Sequence, residues 1–260
     1  MPETLERLPA LVFVIVFAAM WTWEAFGAAR VQQSDPARRR RNLLLSALNF
    51  MLGGATAAAL LAASNFVTQA RWGLAALEQV SPWSAIAAGV LLLDLTDYWR
   101  HRVSHALPLL WRLHRLHHTD PRIDVTSALR SHPVELLLRP VFIGAAILLF
   151  GITPLAVLVQ TLLQLPVLIF QHANVRLPAW TDRTLAWLIS TPAMHLIHHS
   201  RLAPETNSNY ATGLTLWDRL FGSFNSASAP AAIGLDGFDQ PRQQTLRGML
   251  ANPLHEPEIT

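Results

Sequence analysis

Eleven histidines stand in this chain, and ten of them fall between positions 101 and 199. His101 and His105 form an H-x3-H pair. His114, His117 and His118 form H-x2-H-H, and His195, His198 and His199 repeat that pattern. On a helix, residues three or four apart share a face, so each group would present its rings to one side. Neutral imidazole suits Fe, Zn, Cu and Ni, and eight imidazoles in three clusters can hold two ions with positions left open. At this histidine frequency one H-x2-H-H is expected by chance about 0.02 times, so two copies beside an H-x3-H point to metal chemistry rather than to surface histidines. His132 (in Ser131-His132-Pro133) and His172 (in Gln171-His172-Ala173-Asn174) stand singly, and either could equally be a hydrogen-bonded core residue. His255 lies in a polar tail and reads as an ordinary surface residue.

A metal-bound imidazole normally donates its other N–H to a carboxylate or carbonyl. Asp94, Asp97, Asp120, Asp124 and Glu135 are the candidate carboxylates. The competing reading pairs them with Arg100, Arg102 or Arg122 as interfacial ion pairs. Cys is absent, which excludes thiolate sites, cysteine-ligated clusters, cysteine nucleophiles and disulfides. Lys is absent as well: all 20 basic residues are Arg, so Schiff-base chemistry is excluded.

The elements that must hold these histidines are membrane helices. The chain has 260 residues, 52% hydrophobic and only 14% charged, with mean hydropathy +0.29. That balance excludes a disordered chain and argues against an ordinary soluble domain. Expected spans run over Pro9–Ala28, Leu43–Ser64 and a short Ser84–Trp99, followed by a hairpin from Leu136 to Gln171 broken at Gly151–Pro154. The first reads as a retained span rather than a cleaved signal, because its leader carries Glu3 and Glu6 beside Arg7. Arg38–Arg41 orient the bundle with the histidines on the cytoplasmic side, and the same run could also meet anionic lipid. The Ala- and Leu-rich composition, with Arg in place of Lys, hints at a GC-rich bacterial genome and hence an inner membrane. A net charge of +3 is too small to indicate nucleic-acid binding.

The order H-x3-H, H-x2-H-H and a distant H-x2-H-H resembles the fatty acid hydroxylase/sterol desaturase superfamily of integral-membrane di-iron oxygenases. Eight residues separate His105 from His114, and seventy-six separate His118 from His195. Asp94 to His101 resembles the aspartate-rich end of the family's first histidine-bearing span. Arg130-Ser131-His132-Pro133-Val134-Glu135 resembles R-x-H-P-x-E, and His172-Ala173-Asn174 resembles H-x-N. Asn209-Tyr210 with Trp217 to Phe224 resembles the N-Y-G and W-D-R-L-F-G-T-F ending, with Ala211 and Ser223 as the departures. The likeness covers roughly 84–225. Residues 1–83 form an N-terminal transmembrane pair and loop, and 226–260 a tail without motifs that is expected to be partly flexible. The expected fold is therefore all-α, a polytopic membrane bundle with a cytoplasmic histidine-rich helical cap.

The resemblance implies two irons, O2 as co-substrate and attack on an unactivated C–H bond of a fatty acyl, sterol or related lipid. Zinc is a conceivable substitute in purified protein. Its ligands would be His101, His105, His114, His117, His118, His195, His198 and His199, with His132 and His172 completing ten. Asp94, Asp97, Asp120, Glu135 and Asn174 would support them. Electrons must come from a separate cytochrome, ferredoxin or reductase, since no G-x-G-x-x-G, cysteine cluster or haem domain is present. Arg112, Arg115, Arg122 and Arg201 could dock that carrier, although positive-inside topology explains them equally. Hydroxylation, desaturation, methyl oxidation and alkyl-ether cleavage share this scaffold. A non-catalytic scaffold and a divalent-metal transporter are the readings from other classes.

Overall fold

The computed structural model describes residues 5, 7–30, 32, 35–227 and 229–257; Glu3 and Glu6 lie outside them. Among these residues there are twelve α-helices, two 3-10 turns and only isolated β-bridges. The long helices are α1 (Leu8–Gly27), α2 (Pro36–Gln69), α4 (Pro82–Ala106), α6 (Pro133–Phe150) and α7 (Pro154–His172). Short ones are α3 (Leu74–Leu77), α5 (Pro108–His118), α8 (Ala179–Leu185), α9 (Pro192–His198), α10 (Ala203–Thr206), α11 (Leu216–Leu220) and α12 (Leu246–Ala251).

α1, α2, α6 and α7 are long and apolar enough to cross a membrane; α4, expected as a span, is not among them. The second half of α4 carries Asp94, Asp97, Arg100 and His101, and it turns Asp94, Asp97, Tyr98, His101 and Ser104 into the protein. α4 packs against α6 and α7, α1 against α7, and α2 against α6. An apolar core of Val67, Leu93, Ile143, Ile147, Ile152 and Ala156 joins the spans. With 34 residues α2 is about 51 Å long, more than the ~30 Å hydrocarbon core, so its basic N-terminal turns run on into the cap. Asp35 caps it by accepting from the Arg38 N–H, and Pro36 occupies the first turn, where no N–H is needed.

Two local breaks place the histidines. Leu107 is forced extended by the following Pro108, so α4 stops and α5 starts at once in a new direction. His105 and His114 are thereby brought ring to ring, with centroids 4.9 Å apart. The hairpin turns at Gly151, which closes α6 with φ +68°; a side chain there would collide with the Trp72 carbonyl.

The tail folds back over the cap. Phe238 and Met249 are buried, Gln244 bonds Arg130 and the Thr119 carbonyl, and Asn252 receives the Arg115 guanidinium.

Candidate metal centre

Nine of the ten candidate histidines converge in two adjacent groups, eight of them buried and His105 half-buried. His101, His105, His114, His118 and His198 form one; His117, His172, His195 and His199 form the other. Each H-x2-H-H is split between them. On α5, His114 and His118 are one turn apart and serve the first group, while His117 is rotated toward the second. Around α9 the assignment reverses: His195 and His199 serve the second group and His198 the first.

Within each group the Nε2 atoms face one another. In the first group His101 meets His114 at 3.0 Å and His198 at 3.1 Å, and His118 meets His114 at 3.3 Å. In the second, His172 meets His117 at 3.1 Å and His195 at 2.9 Å, and His199 meets His195 at 3.1 Å. The outer nitrogens determine what these contacts are. His101 Nδ1 lies 2.7 Å from the Tyr210 carbonyl, His198 Nδ1 2.7 Å from that of Ser208, and His172 Nδ1 2.7 Å from that of Leu168. A carbonyl only accepts, so each Nδ1 carries the proton and each Nε2 is a bare lone pair. His114 Nδ1 donates likewise to Glu135 Oε1, at 2.6 Å. Bare lone pairs about 3 Å apart repel unless a cation lies between them. Nitrogens bonded at about 2.1 Å to one ion and at right angles are about 3.0 Å apart, so the spacing fits a shared ion. Burial pushes the imidazolium forms of His114, His117, His118, His195 and His199 well below their usual range and His198 down to about 4. That direction favours the neutral ring, the form that ligation requires.

His132 lies outside both groups. Its Nδ1 accepts the Val134 N–H and caps α6, and its Nε2 lies 3.0 Å from the Leu250 carbonyl of the tail. Neither nitrogen is left for a metal, so the ten-histidine set becomes nine. Glu135 is the candidate carboxylate that meets an imidazole. Asp94 instead accepts from Trp217 Nε1, the Leu214 N–H and Gln160. Asp97 pairs with Arg100 and Arg139. Asp120 and Asp124 take the buried Arg38, and Asn174 clips the backbone of Arg30. Burial alone would raise the Asp120 carboxyl, but Arg38 and Arg130 hold it at about 2. Arg38 thus ties α2 to the cap and is withdrawn from lipid.

Sequence reasoning missed the carbonyls of Tyr210 and Ser208 and the side chain of Asn207, which lies 3.3 Å from His105. Their signal was the Asn209-Tyr210 and Trp217-Asp218 motifs. Asn209 adopts φ +53°, held through its side chain by Met194 and Asn225. Asp218 accepts the N–H groups of Tyr210 and Ala211 and the Ser223 hydroxyl, which fixes the loop that aims those carbonyls. Gly213 passes so close to Asp94 that a side chain there would displace the Asp94 carboxylate. Arg130, fully buried, holds the Leu116 carbonyl and the Thr119 hydroxyl at the end of α5.

The fold and the site define a helical membrane protein with two all-histidine groups, each of which could hold a metal ion. The fatty acid hydroxylase family model matches residues 86–223, and the chain belongs to that family. An ornithine lipid hydroxylase of Rhizobium tropici is 30% identical over 155 residues, covering 58% of this chain and 46% of that protein. Alkylglycerol monooxygenase of Xenopus tropicalis is 30% identical over 155 residues, covering 60% and 33%. Human cholesterol 25-hydroxylase is 27% identical over 145 residues, covering 55% and 52%. The chain thus spans about half or less of these relatives' lengths. No solved structure matches it.

Proposed function

We propose that the protein is an O2-dependent di-iron oxygenase that oxidises a C–H bond of a membrane lipid. The observation that carries this reading is the convergence of nine imidazoles, eight of them buried, in two groups, with the bare Nε2 atoms of His101, His114 and His198 facing one another. Iron bound there supplies reductive O2 activation and attack on an unactivated C–H bond. The chain's own part is placement. His101, His105, His114, His118 and His198 would hold one ion, and His117, His172, His195 and His199 the other. Glu135 and the Tyr210 and Ser208 carbonyls fix ring orientation and tautomer. The packed spans and the folded tail keep bulk water away from the rings. A metal transporter would place ionisable groups along a path through the spans, whereas these rings gather at helix ends.

Hydroxylation, desaturation and ether cleavage remain outcomes of how the substrate lies against this centre. The electron donor is a separate protein. Of the four arginines that could dock it, Arg115 is buried, while Arg112 pairs with Glu256, Arg122 with Asp35, and Arg201 with Asp236 and Asp239 at the surface.

The test is metal content per chain of protein purified from iron-replete cells. About two ions per chain, reduced in His117→Ala and His198→Ala, support the reading. Well-folded protein without metal overturns it and leaves a non-catalytic scaffold.

A further inference from the structure

A cavity of about 240 Å³ reaches both histidine groups from between α4, α6 and α7. That is below the ~300–1,000 Å³ of pockets that engulf a drug-sized ligand. Its wall is largely apolar, with Leu136, Leu165 and Leu168, but several polar side chains interrupt it at membrane depth. On α7, Thr161, Gln164, Leu168 and Gln171 recur every three or four residues and all face it. Polar side chains turned inward from a span are costly and generally serve a function.

The deep end of the cavity is already satisfied. Arg139 closes on Asp97 with Nε and Nη2 at 3.1 and 2.6 Å and also donates to Gln164. Gln164 donates to Asp97 and Thr212, and Arg100 donates to Asp97. This network lines the cavity at Asp97, Arg100, Arg139, Gln164 and Thr212. Its Gln164 lies seven residues from Gln171 on α7, about 10 Å along the axis.

Gln171 differs. It is 1% exposed, adjoins His172 and lines the same cavity, yet neither Oε1 nor Nε2 has a partner. A buried amide with donor and acceptor both unmet is rare and unfavourable. Leucine would fill the position without that cost.

We propose that Gln171 is a specificity-determining residue that pairs with a neutral donor–acceptor group, a hydroxyl or a secondary amide, of an amphiphile entering polar end first. The carbon presented to the centre then lies within a few bonds of that group, not in the middle of an acyl chain, and the alkyl part stays on the lipid side. This rests on the oxygenase reading and narrows its substrate class.

The test is a 19F NMR titration of iron(II)-loaded protein in lipid nanodiscs, kept free of O2. The probes are fluorine-tagged hexanol, N-hexylacetamide and hexane. The wild type should bind at least one polar probe about tenfold more tightly than the alkane. Which polar probe leads tells hydroxyl from amide. Gln171→Leu should erase the preference while alkane binding and iron content stay unchanged, and Gln171→Met should do the same if the leucine variant misfolds. Equal binding of all three probes by the wild type, or a preference that survives both substitutions, overturns the proposal. The titration needs no turnover and is repeated on metal-free protein, so a protein that takes up no iron sinks the oxygenase reading while the probes still judge Gln171.

Discussion

The two histidine groups are built differently. In the group of five, four rings have a partner for the outer nitrogen: Tyr210 for His101, Asn207 for His105, Glu135 for His114 and Ser208 for His198. In the group of four only His172 does, through the Leu168 carbonyl. The outer nitrogens of His117, His195 and His199 are buried without partners. Four rings of the first group, all but His118, are therefore fixed in ring angle and tautomer before any ion arrives, and three rings of the second are left adjustable. A partner on the outer nitrogen also raises ligand basicity, so the two groups should differ in affinity as well as rigidity.

That comparison can be broken in several ways. The largest effect should come from a ring at the heart of the rigid group. His198→Ala should lower metal content from about two ions to about one and abolish oxidation, read by elemental analysis and product formation. Chelator titration of the wild type should then be biphasic, with the four-histidine ion leaving first at an affinity about 10–100-fold weaker. A single phase would remove the distinction. Glu135→Leu should weaken the tighter phase by about tenfold or more and leave the weaker one in place. Asn207→Ala, which removes a long 3.3 Å contact, should move the same phase less. The smallest effect on metal is expected for His132→Ala: both phases should persist, with about 1 kcal/mol lost from thermal stability through the missing α6 cap.

His132 shows where a motif misleads. It sits three residues before Glu135, in a stretch whose family resemblance is real. Its role depends on the Leu250 carbonyl, 118 residues away. Asp94 and Asp97 are similar only in part: Arg100, three residues on, was legible as a partner of Asp97, but Trp217, Leu214 and Arg139 are distant in sequence. Arg38 read as a topology signal because a run of four arginines after a span is usually solvated; the Asp120 and Asp124 carboxylates that bury it cannot be inferred from the run itself.

The sequence by itself determined the elements and the chemistry. Apolar runs of span length, prolines at helix starts, Gly151 at the hairpin turn and histidines at helical spacing are local properties, and local properties follow from backbone sterics and a 3.6-residue period. The same period carries the split of each H-x2-H-H, since residues one turn apart share a direction and an adjacent residue does not. Only the tertiary structure decided which rings meet, which outer nitrogens are held and which polar groups stay unmet. Those depend on contacts such as His101 with Tyr210, His117 with His172 and Arg38 with Asp120, which join segments tens of residues apart. A hydrogen bond's partner is set by where the packed helices bring the backbone, and no spacing along the chain records that.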